Sequence, residues 1–338
     1  MAKNKNTINE VTGLDIGSHS VKIVSITKNA DAEVLSAYNI KRIPTNDGIP
    51  GIKETIKSAL DEIDILPKEV NLSLSGQDII VRFINLPKMK KDQLDAALAY
   101  EAEKYIPFNV NEVVLDSIIL GDVLNSGQMK VLLAAGKKDF IEGRVKMIEG
   151  LGMETRIMDI APFAMFNAFI KSHGLPEDKV CAFLNVGHSQ TDVLILDGEV
   201  PCFTRQIQLG GKNVTNTLMK EFSLSEEEAE KKKMYPEDCD KEMVLNASLH
   251  MVKALVKELH LSFGYFENRY NKRVEKIYCT GGSVAQTGMA ALLEEHVGIE
   301  IKKWDPIGEI KLGETISEED IMQVSSQLAV AIGLALRG

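Results

Sequence analysis

Residues 11–40 alternate apolar and polar positions with the period of two that strands require: Leu14 and Ile16, then Val21, Ile23 and Ile26, then Val34, Leu35 and Tyr38. From Ile52 the period lengthens to that of a helix, with Ile56, Ala59, Leu60 and Ile63 on one face. Val70 to Leu74 returns to a strand. This opening reads β-β-β-α-β.

A new pattern starts after Ser75. Ile79–Ile84 is a strand stopped by Pro87. Lys91–Tyr105 is a helix carrying Leu94, Ala97, Leu98, Ala102 and Tyr105, and it ends before Pro107. Strands follow at 113–120 and 130–136, and a helix runs from Asp139, as N-cap, to Gly150. The spacing predicts a compact β-α-β-β-α unit with its own small core over residues 76–152. Thr155–Ile160 then forms a strand, and Pro162 opens a short helix.

A further α/β region begins at Val180–Asn185. Its helices include Asn213–Phe222 and one after Ser225, where Glu228 completes a capping-box spacing. A long helix places Leu245, Leu249, Val252, Val256, Leu259, Phe263 and Phe266 on one core-facing stripe. The strand Val274–Cys279 ends in Gly281-Gly282-Ser283. A closing helix after Ser317 carries Ile321, Val324, Leu328, Ala331 and Ile332.

Two stretches break this alternation in the same way. Asp15-Ile16-Gly17-Ser18-His19-Ser20-Val21-Lys22 and Asn185-Val186-Gly187-His188-Ser189-Gln190-Thr191-Asp192 each place a polar, glycine-containing turn between apolar strands. Such turns offer backbone N–H groups and small hydroxyls to a phosphate chain. An aspartate at the strand end, Asp15, suits a hydrated Mg²⁺. Their recurrence points to a duplicated fold with a nucleotide between the halves. His19 and His188 occupy matching places, but the sequence supplies no third metal ligand beside them.

Composition narrows the picture. With 338 residues, 44% of them hydrophobic, the chain can build two lobes. A net charge of −10 without a long basic block argues against nucleic acid as the main partner. No run of 18 apolar residues is present, and Met1–Thr7 lacks the apolar core of a secretory signal. Cys181, Cys202, Cys239 and Cys279 are scattered, so a reduced, cytoplasmic protein without structural zinc is expected.

In order and spacing, the two turns and the Gly281 turn resemble the phosphate 1, phosphate 2 and adenosine motifs of the actin–Hsp70–sugar kinase superfamily. The Ala/Gly-rich end, Ala329 to Ala335, resembles that superfamily's closing helices. The 76–152 unit is placed like the 1C subdomain of FtsA. Glu101-Ala102-Glu103-Lys104-Tyr105-Ile106-Pro107-Phe108 is similar to a run in the PilM family of type IV pilus assembly proteins; Ser75-Gly76-Gln77, Arg82 and Ile332–Arg337 also fit.

The resemblance implies an α/β fold of duplicated, actin/Hsp70-like (RNase H-like) lobes. Residues 10–75, 153–179 and 320–338 would form the first lobe, 76–152 the 1C-like insert and 180–319 the second lobe. ATP and Mg²⁺ are the implied ligands. Asp15 would anchor the metal, with Asp192 reaching its water. Gly17, Ser18, His19 and Ser20 would wrap the phosphates, with Lys22 nearby. Gly187, His188, Ser189, Gln190 and Thr191 would close from the other side. Gly210 and Gly211 would line the cleft, Glu228 and Lys232 bracket the nucleoside, and Gly281, Gly282 and Ser283 receive the adenosine.

The family's partner is the N-terminal tail of PilN, an inner-membrane protein. It would sit in a groove between first lobe and insert, for which Phe83, Leu86, Tyr105 and Phe108 stand as candidates, and would recruit the chain to the inner face of the inner membrane. Other pilus assembly ATPases, platform proteins and self-association are further implied contacts.

Two positions depart from the superfamily. Asn185 replaces the usual aspartate of the second turn, and Ala161 stands where a glutamate often opens the helix. Asn binds Mg²⁺-water more weakly than a carboxylate, so hydrolysis is expected to be slow or absent. A sugar-kinase-like phosphotransferase would need a carboxylate base that the sequence does not offer. An FtsA-like filament or division scaffold is the other alternative, though FtsA proteins usually continue into an amphipathic membrane helix. The cytoplasmic part of the type II secretion protein GspL is a further relative.

Overall fold

Two sheets of the same strand order organise the chain. The computed structural model describes residues 9–29, 32–44, 48–123, 126–176, 179–286 and 288–337; Met1–Thr7 and Gly338 lie outside them. β1 (Asn9–Ile16), β2 (Ser20–Lys28) and β3 (Glu33–Arg42) form an antiparallel meander, and α1 (Gly48–Glu62) crosses to β4 (Glu69–Leu74), parallel to β1. The insert adds β5 (Ile79–Pro87), α2 (Lys91–Glu101), β6 (Val113–Val123), β7 (Gln128–Lys137) and α3 (Lys138–Glu149). β8 (Glu154–Ile160) pairs parallel with β4 and leads into α4 (Ala161–His173).

The second lobe repeats the plan. β9 (Val180–Val186), β10 (Thr191–Asp197) and β11 (Val200–Ile207) form the meander, followed by α5 (Gly211–Phe222), α6 (Glu226–Met234) and α7 (Lys241–Tyr270). β12 (Lys276–Thr280), α8 (Met289–Val297) and β13 (Ile301–Lys303) complete its sheet. β14 (Lys311–Leu312), α9 (Glu318–Val324) and α10 (Ala329–Ala335) close the chain. The orders β3-β2-β1-β4-β8 and β11-β10-β9-β12-β13 match strand for strand, antiparallel and then parallel. The duplicated α/β fold anticipated from the paired turns is therefore present.

The lobes share a core. Phe166 and Phe169 on α4, Phe183 and Leu194 on the second sheet, Trp304, and most of α10 bury against one another. α10 lies so close to α4 that a Cβ on Gly333 would fall 1.6 Å from the Ala164 carbonyl oxygen. Asn71 on β4 donates to the Leu334 carbonyl at 2.8 Å, tying α10 to the first sheet.

The structure redraws several expected boundaries. α2 ends at Glu101 and tightens into a 3₁₀ turn at Ala102–Lys104, short of Tyr105. Met147 and Ile148 of α3 bury in the first-lobe core under β1 and β4, so only β5, α2, β6 and β7 build the insert's own core. β14 pairs with β3 of the first sheet, although the 180–319 span placed it in the second lobe. On α7 the buried stripe runs through Val244, Ala247 and Met251, and Leu245 is exposed. The expected closing helix is interrupted by a 3₁₀ turn at Ser325–Gln327, where the Ser326 carbonyl accepts from Gly281 N–H at 2.9 Å.

Candidate functional site: a cleft between two glycine hairpins

The β1–β2 and β9–β10 turns face each other across a cleft of about 370 Å³. Each is closed by the same hydrogen bond: Gly17 N–H to the Ser20 carbonyl at 3.0 Å, and Gly187 N–H to the Gln190 carbonyl at 2.9 Å. At the mouth, the His19 and His188 rings stack with centroids 4.1 Å apart. Arg42 of β3 reaches Glu226 of α6 at 3.0 Å, a further contact between lobes beside their shared core.

The polar rungs just behind the turns carry the charge. Asp15 is paired in register with Lys22, whose Nζ lies 3.2 Å from Asp15 Oδ2, and Ser73 donates to Asp15 Oδ1 at 2.7 Å. The equivalent rung of the second hairpin pairs Asn185 with Asp192. Asp192 is buried and accepts from Gln206 at 2.9 Å and, more loosely, from Asn185 at 3.4 Å. Burial, with a further contribution from the Asp15 charge, pushes its pKa up to about 6. Two carboxylates thus face one cavity, one from each lobe, and a divalent cation between them would relieve both. The residues fit Mg²⁺: oxygen donors, one of them buried and short of positive charge.

Asp15, Gly17, Ser18, His19, Ser20 and Lys22 all line the cleft, as do Gly187, His188, Gln190, Asp192, Gly282 and Ser283. The others stand behind or away from it. Thr191 is fully buried and donates to the Leu209 carbonyl at 2.8 Å. Ser189 is not among the lining residues. Gly210 and Gly211 brace the second turn from behind: Gly211 N–H donates to the Gly187 carbonyl at 3.0 Å, and a Cβ on Gly210 would meet the His188 carbonyl at 2.6 Å. Gly281, at φ +103°, tucks under Val186, where a side chain would collide with the backbone.

Glu228 and Lys232 do not face the cavity. Glu228 is exposed, turned back onto Ser225 as the cap of α6, and Lys232 pairs with Asp240 at 2.6 Å. The face of α6 that does line the cleft carries Glu230 and Lys233, joined at 2.7 Å. Lys233 is almost fully buried and also reaches Thr215 at 2.8 Å.

Glu230 supplies the third group that the sequence did not reveal beside His19 and His188; their ligand atoms all lie within 4.8 Å of one another. Its carboxylate is already paired with Lys233 and accepts from Thr215, which makes the trio a poor metal centre. Both imidazoles are held below their ordinary pKa, mainly by burial, and His188 falls to about 4. They are neutral at physiological pH, so no charge repulsion opposes the stack. Arg144, Ser75, Gly76 and Gln327 also line the cleft without having been expected there, and Ala161 borders it as its place in the superfamily motif implied.

A second, larger cavity of about 840 Å³ lies between the insert sheet and the first lobe. Val114, Ile118 and Leu120 of β6 with Leu132 of β7 form one wall; Phe163 and Ile170 of α4 form the other. β6 is an edge strand, and Val114 and Ile118 are exposed on it. Leu86, Tyr105 and Phe108 pack instead in the α2-covered core on the opposite face of the insert sheet, and Phe83 is buried without lining the groove. Among the described residues no helix is long and apolar enough to cross a membrane.

Two lobes of one topology, closing on a cleft between two glycine hairpins, define the actin-like ATPase class of fold. Within that class the chain belongs to the type IV pilus assembly protein PilM family, whose profile matches residues 13–338. It is similar to a solved PilM–PilN type IV pilus biogenesis complex, with 27% identity, a TM-score of 0.86 and coverage of 97% of this chain and 98% of that one. It is 24% identical over 349 residues to the cell division protein FtsA of Streptococcus pneumoniae serotype 2 (strain D39 / NCTC 7466), covering 87% of this chain and 75% of that protein. The ethanolamine utilization protein EutJ from Carboxydothermus hydrogenoformans shares the fold, at 12% identity and TM-score 0.55 over 98% and 92% of the two chains.

Proposed function

We propose that this protein is a cytoplasmic, ATP-binding scaffold that docks the tail of a PilN-like inner-membrane protein and is held at the membrane through it. The observation that carries this reading is the open apolar groove along β6, where Val114 and Ile118 are exposed on an edge strand. An extended tail laid there would cover the exposed half of each, worth roughly half of the 1.5–3 kcal/mol of a full burial, and could add hydrogen bonds to the strand edge. The likeness to a complex containing PilN supports that occupant.

ATP with Mg²⁺ is the ligand proposed for the cleft. Asp15 and Asp192 would hold the metal through water, which supplies charge neutralisation for the phosphates. The two hairpins would clasp the phosphates, and Gly282 and Ser283 would lie against the adenosine. Glu230 and Lys233, which line the cleft, would bracket the nucleoside in place of Glu228 and Lys232. Ala161 presents a methyl group to the cavity, so it can neither orient a water nor accept its proton. Binding, with slow turnover at most, follows.

Retention of a PilN-like tail peptide and phosphate release can be read on one preparation. With ATP and Mg²⁺ the protein is expected to hold the peptide and release little phosphate. Ile118→Glu should weaken the peptide at least about tenfold, from the lost apolar contact, and leave nucleotide binding intact. Absence of peptide retention with ATP present would defeat the docking reading. Rapid phosphate release, abolished by Asp15→Ala, would defeat the scaffold reading of the cleft.

A further inference from the structure

The symmetry of the lobes gives the nucleotide a direction. Gly281 follows β12 in the second lobe, and Gly76 follows β4, the equivalent strand of the first. Both glycines take positive φ, +103° and +112°. Resting on the nucleotide reading above, the nucleoside lies at the Gly281 end, the two hairpins hold the middle of the phosphate chain, and its far end points toward Ser75 and Gly76.

Arg144 of α3 lines the cleft together with those residues. Its guanidinium is half-buried and stands 5.3 Å from the Phe140 ring, yet makes no hydrogen bond or ion pair among the described residues. Asp15 attracts it across the cavity, but the Asp15 carboxylate is already engaged by Lys22 and Ser73. A desolvated guanidinium with all five N–H donors unspent matches an oxyanion that can accept two of them in parallel.

We propose that Arg144 receives the terminal phosphate of the bound nucleoside triphosphate, so that α3 distinguishes a triphosphate from a diphosphate. Lysine would supply the charge without the planar fork and substitutes only in part.

Calorimetric titration of the full chain with ATP and with ADP, each with Mg²⁺, tests this in wild type, Arg144→Ala and Arg144→Lys. The wild type is expected to bind both. In Arg144→Ala the affinity for ATP should fall about tenfold to hundredfold, the effect of losing a charged hydrogen-bond donor, while ADP binding stays within about threefold. Arg144→Lys should lie between. Unchanged ATP affinity in Arg144→Ala overturns the assignment, as does an equal loss for ATP and ADP in both variants. A wild type that binds neither nucleotide overturns the reading of the cleft itself, and the assignment with it.

Discussion

Asp192 shows how a residue proposed to hold the metal's water strains its own fold. Its pKa in the folded chain is about 6, against an ordinary 3.8, because it is buried with only amide donors for company. The raised value means that the native state binds this proton more tightly than the unfolded chain does. Above pH 6 the charged group therefore costs stability; between pH 6 and about 4 that cost fades as the native carboxyl protonates, and below it is gone. A shift of about two units corresponds to about 3 kcal/mol at most. Asp192→Asn should raise the melting temperature at pH 7.5, with the gain vanishing toward pH 4, and should weaken Mg²⁺-dependent nucleotide binding. A lower melting temperature at pH 7.5 would show that the buried charge is better supported than its partners suggest. The pair of hairpin turns was legible because polar residues interrupt apolar strands there. That the second lobe keeps a carboxylate on the opposite strand of the same rung, Asp192 across from Asn185, needed the register. Glu230 and Lys233 were missed for a physical reason already visible in the sequence: Ser225 and Glu228 form a capping box, which commits Glu228 to the helix end.

Among the elements, strands and long helices followed their apolar periods closely, and the discrepancies came where tertiary contact decides. The two-residue β14 has no pattern of its own and exists because β3 offers an edge. The 3₁₀ turn at Ser325–Gln327 exists because Gly281 and Thr280 claim the Ser326 carbonyl. The contact between α4 and α10 at the shared core depends on the missing side chain of Gly333. Gly333→Ala would drive a methyl group into the Ala164 carbonyl and should destabilise the protein by about 3 kcal/mol. The control is Gly264→Ala in α7, where an added methyl meets nothing within 4 Å. That change should stabilise by about 0.5–1 kcal/mol through helix propensity alone. Parallel chemical denaturation of the two variants checks the contrast; similar behaviour would mean that α4 and α10 can slide apart at little cost.

On the scale of the whole molecule, α3 belongs to both cavities. Arg144 borders the cleft, and Ile141, one turn earlier, borders the groove along β6. The last turn of the helix is anchored in the first-lobe core by Met147 and Ile148. A ligand in either cavity therefore bears on the same rigid element. Equilibrium linkage then requires that whatever factor ATP adds to the affinity for the tail, the tail adds to the affinity for ATP. With ADP, which on the assignment proposed above would not extend to Arg144, the factor should shrink toward one. Measured around the four-step cycle, an ATP factor of about five or more with a flat ADP response is expected; identical factors for the two nucleotides would deny α3 this part. With the ligands proposed above, the helix would work as a coincidence detector: the fully engaged state would form where a charged nucleotide and a membrane-borne tail arrive together, and a spent nucleotide would loosen the hold on the membrane without any contact between the two ligands.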